Sequence, residues 1–302
     1  MQLSPEFLRK LELLRVTARK VHGGRFSARH RSKKLGQGID FADYRAYAPG
    51  DDFKDIDWNL FGRLDRLMVR LAQEETELHL HLLVDCSRSM SFDAQQGAPG
   101  QRKPAQESKA SLARKVATAL SYVALSRLDR VRVFPFSESL HHPLSPPRSK
   151  AQAARIHSYL SNIEHGDGTD LATVAHSFVG VAHQRGLVLI LSDFLSPSGW
   201  QPALDILRHA RFEPALLQVS APEDAEPPPS GEVILRDAET GRRVRVHVTD
   251  ALAQAYRQAF LEHCESLRSY ARSHNLFYGH ARTDQPWEEV VLGTMRAERL
   301  LI

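Results

Sequence analysis

The stretch HLHLLVDCSRSMSF, residues 79–92, determines how the rest of the sequence is interpreted. It starts as an apolar run interrupted by two histidines and ends at Asp85, after which hydroxyls follow at Ser87 and Ser89. A short apolar run of this kind is typical of a buried strand. Because residues 85, 87 and 89 alternate along an extended turn, their side chains can point to one side. The stretch therefore predicts a strand that delivers three oxygen-bearing side chains to one place.

Apolar runs and helical patterns alternate along the chain after this stretch. The apolar runs ELHLHLLVD, RVRVFPFS, GLVLILSDF, EPALLQVS and LFYGHAR predict strands, and helical patterns separate them. GLVLILSDF shows little alternation of apolar and polar residues, as expected for a strand that is covered on both faces. Strands that alternate with helices favour a doubly wound α/β fold with an open, mostly parallel sheet. Ligands bind such folds where the carboxyl ends of the strands meet the loops.

The sequence divides into an N-terminal part, residues 1–75, and an α/β domain, residues 76–302. In the N-terminal part, an amphipathic pattern predicts a helix over about 4–21 that ends at a pair of glycines, and the remainder is expected to be β-rich. Within the α/β domain, EVILRDAETGRRVRVHVT alternates on either side of Glu-Thr-Gly and predicts a β-hairpin near 232–249. A long loop at 93–107 follows the two serines.

The composition is that of a soluble globular protein, with 42% hydrophobic and 25% charged residues among 302. No apolar stretch reaches the roughly 18–20 residues that span a bilayer, and the start lacks the apolar core and cleavage site of a secretory signal. The two cysteines, Cys86 and Cys264, fit a reducing compartment. We therefore expect a cytoplasmic protein.

The net charge of +4 is unevenly distributed. Residues 1–72 contain fifteen Lys and Arg against nine Asp and Glu, whereas residues 40–57 alone contain six aspartates. The basic surplus raises the alternative of nucleic-acid or anionic-membrane binding through residues 9–34, which would depend strongly on salt. Aromatic side chains for stacking are nearly absent there, with Phe26 alone. Nucleic acid is therefore not the expected partner.

Oxygen-bearing side chains at three places in the sequence predict a divalent-cation site. Mg²⁺ takes six hard oxygen ligands in an octahedron and keeps several waters. Asp85, Ser87 and Ser89 supply three of these oxygens. Thr169 lies in the glycine-rich loop HGDGTDL, and Asp193 follows the strand GLVLILS, so both can reach the same edge of the sheet. The alternative is that Asp and Ser only cap the following turn, where both residue types are common.

The spacing D-x-S-x-S after an apolar strand, with a Thr in a glycine-rich loop and an Asp after a later strand, resembles the metal-ion-dependent adhesion site of von Willebrand factor A-like domains. These are doubly wound α/β domains that bind Mg²⁺ at one end of the sheet. The resemblance implies Mg²⁺ here, with Mn²⁺ and Ca²⁺ as alternatives, held by Asp85, Ser87, Ser89, Thr169 and Asp193. It also implies that a carboxylate of a partner protein takes the last position on the metal. Asp170 is expected to be a helix N-terminal charge rather than a ligand.

A second resemblance covers the N-terminal part. The stretch HRSKKLGQGIDFADYRAYAPGDDFKDIDWNLFGR is similar to the signature of a bacterial family known as domain of unknown function 58. The sequence RDAETG at 236–241 also resembles that family. The signature residues that are expected to bind a partner or to hold the structure together are Arg45, Tyr47, Asp51, Asp52, Asp57, Trp58 and Arg63. The two arginines are candidates for charge-assisted pairs with carboxylates, and Trp58 is expected to pin the segment to a core together with Phe41 and Tyr47.

These resemblances imply a non-enzymatic adaptor that binds a protein carboxylate through Mg²⁺. Members of the second family look like companions of MoxR-type AAA+ ATPases with a chaperone-like role, so such an ATPase is the expected partner. The chain has no G-x-x-x-x-G-K-[ST] loop. ATP hydrolysis would therefore belong to the partner.

An Mg²⁺-dependent phosphohydrolase is the enzymatic alternative. Asp85 follows an apolar strand and would be the nucleophile, as in haloacid-dehalogenase-like enzymes. Those enzymes usually carry a second Asp two positions later to protonate the leaving group, whereas this chain has Ser87. A Ser-His hydrolase is weaker still, because neither serine of the motif lies in G-x-S-x-G. We therefore expect no enzymatic activity.

Overall fold

The computed structural model describes residues 4–18, 43–49, 53, 56–71, 78–91 and 107–302. The expectations for the basic segment around 25–34, for most of the loop 93–107 and for Phe41, Asp51 and Asp52 fall outside these residues. Contacts divide the chain into a smaller unit, Arg29–Glu77, and a larger unit that combines Met1–Ala28 with Leu78–Ile302.

The described helices range from single turns to one helix of 24 residues. They are α1 (Pro5–Glu12), α2 (Trp58–Leu64), α3 (Arg88–Ser91), α4 (Lys109–Ser126), α5 (Ala153–Ser161), α6 (Leu171–Val181), α7 (Gln201–His209), α8 (Pro222–Ala225), α9 (Asp250–Ser273), α10 (Trp287–Glu289) and α11 (Met295–Ala297). A 3-10 turn at Lys150–Gln152 precedes α5, and a π-helical segment at Val290–Thr294 joins α10 to α11. None of these described helices is both long and apolar enough to cross a lipid bilayer.

The described strands form three separate sheets. They are β1 (Asp43–Ala46), β2 (Met68–Leu71), β3 (His79–Asp85), β4 (Arg130–Phe136), β5 (Leu187–Ser192), β6 (Glu213–Ser220), β7 (Gly231–Arg236), β8 (Arg243–Val248) and β9 (Phe277–Arg282). β1 pairs antiparallel with β2 in the smaller unit. In the larger unit, β7 and β8 pair antiparallel as a hairpin, and the remaining strands form the central sheet.

The central sheet has five strands in the order β4-β3-β5-β6-β9, and every neighbouring pair is parallel. The predicted α/β fold with a mostly parallel sheet is confirmed. The chain runs from β3 outward to β4 and then returns to β5 on the other side of β3, so the connections diverge between β3 and β5. In open α/β sheets a crevice forms at this point, outside the carboxyl ends of the strands.

Apolar side chains cover both faces of the central sheet. Leu80, Leu82 and Val84 of β3 belong to one buried cluster with residues of α4, and Leu83 belongs to a second cluster with Phe178 of α6. Because both faces of β3 are buried, the strand carries apolar residues at successive positions. Full burial of each such side chain contributes about 1.5–3 kcal/mol relative to exposure. This packing fixes the end of β3, from which the Asp85 carboxylate is expected to project.

Helix α1 ends at Glu12, so the predicted helix over 4–21 is wrong for the described residues beyond that position. Val16 instead forms an antiparallel bridge with Leu301, and both residues are buried. This pairing satisfies backbone groups that a longer helix would have used. Tertiary packing therefore overrides the helical periodicity of the sequence.

Helix α1 packs within the larger unit, against α4. Tyr122 of α4 donates its hydroxyl hydrogen to Glu12 Oε1 at 2.7 Å, and Lys150 Nζ lies 2.6 Å from the same oxygen. The larger unit thus includes a helix from the N-terminal part of the sequence, whereas the smaller unit contains the signature residues.

In the smaller unit, Asp57 starts helix α2. Its Oδ1 accepts the N–H groups of Asn59 and Leu60 at 3.0 and 3.1 Å, and the Tyr44 hydroxyl donates to its other oxygen at 3.0 Å. These bonds satisfy two of the free N–H groups at the helix start. Asp57 is buried and therefore has a structural role in this unit.

Trp58 does not pin the smaller unit to a core, contrary to the expectation. The residue is 59% exposed and meets Phe61 edge to face, with 6.3 Å between ring centroids. The expected packing fails because α2 buries none of its residues. Tyr47, in contrast, is half-buried and stacks on Phe53 at 5.9 Å between ring centroids.

Candidate functional site

Strands β3 and β5 end next to each other where the connections diverge, and an aspartate lies at each end. Asp85 is the last residue of β3, and Asp193 follows Ser192, the last residue of β5. Val84 and Leu191 are register partners in this parallel pair. The two carboxylates therefore leave the sheet at the same edge.

The backbone after Asp85 folds into a turn that brings Ser87 back toward the carboxylate. The Ser87 N–H donates to Asp85 Oδ1 at 2.9 Å, which is the local bond that Asp commonly forms in turns. The second oxygen of Asp85 accepts from the Ser192 hydroxyl at 2.5 Å, and the Phe194 N–H donates to that hydroxyl oxygen at 3.0 Å. Ser87, in the turn after β3, and Ser192, the last residue of β5, thus hold both oxygens of Asp85.

The hydroxyls of Ser87 and Ser89 lie between the two aspartates. Their oxygens are 3.1 Å apart, and the Ser89 oxygen is 3.5 Å from Asp193 Oδ2. Asp85, Ser87 and Asp193 are buried, whereas Ser89 is half-buried. Four of the five predicted ligands are therefore linked by hydrogen bonds, Asp85 through the Ser87 N–H and the others through their side-chain oxygens, with Ser89 on the solvent side. We call these four residues together with Thr169 the oxygen group.

Thr169 lies in a loop that is tied to the segments carrying the other four residues. The Arg88 N–H donates to the Gly166 carbonyl at 2.9 Å, and the Gly166 N–H donates to the Cys86 carbonyl at 3.1 Å. The Ser196 hydroxyl donates to the Thr169 carbonyl at 2.9 Å. The Thr169 hydroxyl is buried, with 7% of the residue exposed, and has no hydrogen-bond partner among the described residues. An unpaired buried hydroxyl costs about 1–3 kcal/mol, and binding a cation is one role that would offset this cost.

Two glycines allow the Thr169 loop to pack closely against the residues that follow β4. A Cβ on Gly166 would lie 2.3 Å from Ser137 Oγ, and a Cβ on Gly168 would lie 2.8 Å from Glu138 Oε1. Neither distance is compatible with a side chain unless the neighbours move, because protein interiors are close-packed. The sequence H-G-D-G-T therefore lets the loop lie against the residues that follow β4.

A buried lysine neutralises Asp193. Lys109, the first residue of α4, places its Nζ 2.8 Å from Asp193 Oδ2 and 3.2 Å from Asp224 Oδ2. Burial alone would lower the pKa of Lys109, but the charges of Asp193 and Asp224 raise it above its ordinary value. The ammonium is therefore a fixed positive charge beside the oxygen group, and a bound cation would share Asp193 with it.

Burial raises the pKa of the Asp85 carboxyl above its usual range, and the charge of Asp193 raises it further. Hydrogen bonds from Ser192 and Ser87 act in the opposite direction. Two buried carboxylates repel each other, and a divalent cation between them would remove that repulsion and favour the ionised form. Cation binding and protonation of Asp85 are thus competing ways to stabilise this arrangement.

The donor set of the oxygen group fits a hard cation. Carboxylate and hydroxyl oxygens are the ligands that Mg²⁺ and Ca²⁺ prefer. Within the described part of the chain, no group of three or more His, Cys, Asp or Glu could hold a metal ion. Two carboxylates formally balance the charge of a divalent ion, but Lys109 shares the charge of Asp193, so part of the charge of the ion would remain uncompensated. Such an ion would retain affinity for a further carboxylate.

Asp170 caps helix α6, as the sequence predicts. Its Oδ1 accepts the N–H groups of Ala172 and Thr173 at 3.1 and 3.2 Å.

Of the signature residues, Arg63 is exposed near the end of α2. The side chain of Arg45 is outside the described part of the chain.

Sequence reasoning missed three residues that the structure places beside the oxygen group: Ser192, Lys109 and Asp224. Ser192 had a local signal, because it directly precedes Asp193 at the end of an apolar run. Lys109 and Asp224 had no local signal. Lys109 forms ion pairs with Asp193 and with Asp224, and these pairs join distant parts of the chain.

Comparisons with known proteins identify the family without identifying a function. A family model described as "Protein of unknown function DUF58" matches residues 43–266. Uncharacterized protein Rv1480 of Mycobacterium tuberculosis is 26% identical over 291 residues, which cover 94% of this chain and 87% of that protein. Uncharacterized protein MAV169 of Mycobacterium avium is 32% identical over 130 residues, 43% of this chain and 76% of that protein.

Among solved structures, the chain matches the conserved hypothetical protein BatB from Bacteroides thetaiotaomicron. It has 15% sequence identity and a TM-score of 0.41, and the match covers 74% of this chain and 98% of that chain. At this level of similarity the match supports no argument about fold or function.

Proposed function

The chain belongs to the family described as protein of unknown function DUF58, and within that family we propose that it is a non-enzymatic, metal-dependent adaptor. In this proposal the larger unit is a von Willebrand factor A-like domain. The proposed ligands of Mg²⁺, or of Mn²⁺ or Ca²⁺ in its place, are Asp85, Ser87, Ser89, Thr169 and Asp193. The bound ion takes a carboxylate of a partner protein as a further ligand.

The unpaired hydroxyl of Thr169 is the observation that carries the proposal. The residue is buried in a loop that backbone hydrogen bonds tie to the segment carrying Ser87 and Ser89, and no described residue bonds its hydroxyl. The start of α6 is already capped by Asp170. A cation that binds the oxygen group would give this hydroxyl a partner.

The oxygen group is suited to docking because its geometry is fixed before a partner arrives. Both oxygens of Asp85 are positioned by Ser87 and Ser192, and Asp193 Oδ1 accepts the Leu195 N–H at 3.0 Å. When bound, Mg²⁺ supplies a position that attracts an anionic oxygen. The partner carboxylate would approach from the side of Ser89, the half-buried member of the group.

The surroundings of Asp85 disfavour the phosphohydrolase alternative. A nucleophilic carboxylate must be reached by the substrate in line, whereas Asp85 is 1% exposed. Ser87 also stands where such enzymes carry the Asp that protonates the leaving group. These features suit a group that positions other atoms.

We also propose a MoxR-type AAA+ ATPase as the partner, with a chaperone-like role for the complex. The support is the family signature in residues 30–63 together with the absence of a G-x-x-x-x-G-K-[ST] sequence in the chain. Any ATP-dependent step would then belong to the partner. The partner would supply the carboxylate for the ion, and this chain would supply the ion and its rigid setting.

Direct titration with metal tests the cation site. Calorimetry with Mg²⁺ and Mn²⁺ on the full chain should show one site in the wild type and loss of binding in Asp85→Asn. Asn has the shape of Asp, and the raised pKa of Asp85 implies that a neutral group is tolerated there, so the variant should fold. Asp284→Asn, which changes an exposed aspartate paired with Arg282, is the matched control and should bind normally. Equal affinity in wild type and Asp85→Asn would refute the metal site.

Capture of a partner tests the docking step separately. The purified wild type and the Asp85→Asn variant are incubated with a purified MoxR-type ATPase in Mg²⁺ and in excess chelator. The proposal expects a complex only for the wild type in Mg²⁺. A complex that persists in chelator, or in Asp85→Asn, would show that the ion does not mediate the interaction.

A further inference from the structure

The hairpin formed by β7 and β8 has one face rich in arginine and one apolar face. Arg236 is the register partner of Arg243, and Ile234 is the register partner of Arg245. Because successive residues of a strand point to opposite faces, these four side chains share one face, which we call the basic face. The register places four aliphatic residues on the opposite face, namely Val233, Leu235, Val244 and Val246.

The arginines of the basic face have no acidic partners. Arg236, Arg243 and Arg245 are exposed, and within the described part of the chain no carboxylate forms an ion pair with any of them. Arg236 and Arg243 lie directly opposite each other, and like charges at such positions destabilise a sheet. The hairpin therefore has an electrostatic cost that an anionic ligand would remove.

The apolar face of the hairpin is only partly covered. Val248, at the base of the hairpin, is buried, whereas Leu235 and Val244 are 44% and 47% exposed. These last two residues are register partners, so they form a continuous apolar surface near the turn. A ligand that neutralised only the arginines would leave this surface in water.

Strand β8 also has a free edge. The sheet contains only β7 and β8, and alternate residues of an antiparallel strand direct their N–H and C=O groups away from the partner strand. Among the described residues, no backbone group pairs with that side of β8. Arg243, Val244 and Arg245 are consecutive exposed residues on this strand. An open edge of this kind is a template for a further strand.

We propose that the free edge of β8 binds an extended segment of a partner protein in which acidic and apolar residues alternate. The acidic side chains of the added strand lie beside Arg243 and Arg245, and an apolar side chain lies beside Val244 on the opposite face. In such strand addition, backbone hydrogen bonds supply affinity and alternate side chains supply specificity. The edge of β7 is less suitable, because Glu232 lies on the basic face there and would repel an acidic segment.

A nucleic-acid strand would match this surface less well. Phosphates would neutralise the arginines, but neither strand of the hairpin contains a Phe, Tyr or Trp on which bases could stack. The apolar face would also stay exposed. None of the hairpin residues belongs to the oxygen group, so the proposal does not depend on a bound cation.

Binding of labelled peptides to the full chain, measured by fluorescence anisotropy at trace peptide concentration, tests the proposal. The probe is the capped peptide Glu-Val-Glu-Val-Glu-Val-Glu. A peptide of the same composition with its glutamates and valines in separate blocks should bind roughly tenfold more weakly, because the cross-strand pairs are lost. The alternating peptide with every backbone nitrogen methylated should not bind, since it cannot donate hydrogen bonds to β8.

The double variant Arg243→Gln/Arg245→Gln tests the basic face. It should bind the alternating peptide about fivefold more weakly, because each exposed ion pair contributes only modestly in water. The matched control is Arg155→Gln/Arg272→Gln, which removes the same charge from exposed positions on α5 and α9. The control should bind the alternating peptide as the wild type does.

Three results would overturn the proposal. The first is failure of the alternating peptide to bind, or equal binding of the block or methylated peptide, which would exclude strand addition. The second is equal loss of affinity in the two double variants, which would assign binding to net charge. The third is tighter binding of single-stranded oligothymidylate than of the peptide, lost only in Arg243→Gln/Arg245→Gln, which would assign the basic face to nucleic acid.

Discussion

Lys109 and Asp193 form a buried ion pair, with 2.8 Å between Nζ and Oδ2 and side chains that are 5% and 4% exposed. The pair joins the start of α4 to the residue that follows β5. In the proposed site, the same carboxylate oxygen belongs to the oxygen group, at 3.5 Å from Ser89. The ammonium therefore holds Asp193 in place and also competes with a divalent cation for its charge.

Lys109→Met should destabilise the protein and strengthen cation binding. Removing one partner of a buried ion pair costs about 3–5 kcal/mol, because the remaining carboxylate is left without compensation. Urea unfolding in chelator should show this loss, and added Mg²⁺ should restore more stability to the variant than to the wild type. Lys115→Met on the same helix removes a more exposed lysine that pairs with Glu107. It should cost less and should respond to Mg²⁺ as the wild type does.

Thr169→Val should have opposite effects on stability and on metal affinity. The wild-type hydroxyl is buried and unpaired among the described residues, so its removal should raise the free energy of unfolding in chelator by about 1 kcal/mol. Affinity for Mg²⁺ should fall about tenfold, because one oxygen ligand is lost. Thr118→Val is the matched control, since that buried hydroxyl donates to the Arg114 carbonyl at 2.7 Å. The control should lose stability and keep its metal affinity.

Gly166→Ala should disturb the oxygen group through packing. The new Cβ would lie 2.3 Å from Ser137 Oγ, and overpacking of a buried position typically costs about 1–3 kcal/mol. Gly180→Ala, in helix α6 with no atom within 4 Å of the added Cβ, should instead gain about 0.5–1 kcal/mol. Urea unfolding of both variants measures the difference. Equal stabilities would contradict the close approach of the Thr169 loop to the residues after β4.

Stability should fall as the pH decreases from about 6.5 to about 4, in part because of His81. Burial lowers the pKa of His81 to about 4, while the Nε2 contact with the Gln184 carbonyl at 3.0 Å acts in the opposite direction. Below the unfolded-state pKa of about 6.5, the unfolded chain binds a proton that the folded chain does not bind until the lower pKa is reached. The contribution of this group to stability is therefore present above pH 6.5 and is lost by as much as about 3 kcal/mol across the window.

The variant His81→Phe isolates this contribution. The ring lies among Phe134, Phe178 and Phe212 at centroid distances of 5.9, 5.3 and 5.7 Å, so an aromatic replacement keeps much of the packing. The pH dependence of urea unfolding should become shallower in the variant but should not vanish. Burial also lowers the pKa of His280 to about 4, and that residue titrates in the same direction. An unchanged slope would show that His81 is not the group responsible.

The central sheet could be predicted from the sequence because its signals are local. Continuous apolar runs mark strands with two buried faces, and GLVLILS forms β5 as expected. Asp85 and Asp193 could be placed at one edge because parallel strands end at the same side of a sheet. The sequence therefore indicated where the candidate site lies and which strand ends form it.

The residues that complete the surroundings of the site could not be predicted, because their contacts join distant parts of the chain. No pattern near Lys109 indicates that its ammonium meets Asp193, and none near Asp224 indicates that it meets the same ammonium. Helix α1 and Trp58 were misjudged for a related reason. Periodicity and aromatic character describe what a segment can bury, whereas the packing partners decide what it does bury.

The location of the oxygen group between β3 and β5 links it to the folding of the whole sheet. Ser192 and Asp85, which bond across these neighbouring strands, are separated by 107 positions in the sequence. Such contacts form late, since the intervening chain must first be closed into a loop. A nascent or partly unfolded chain would contain its helices before it contained this edge. A partner that binds here would bind only fully folded molecules, and complex formation would indicate that folding of the sheet is complete.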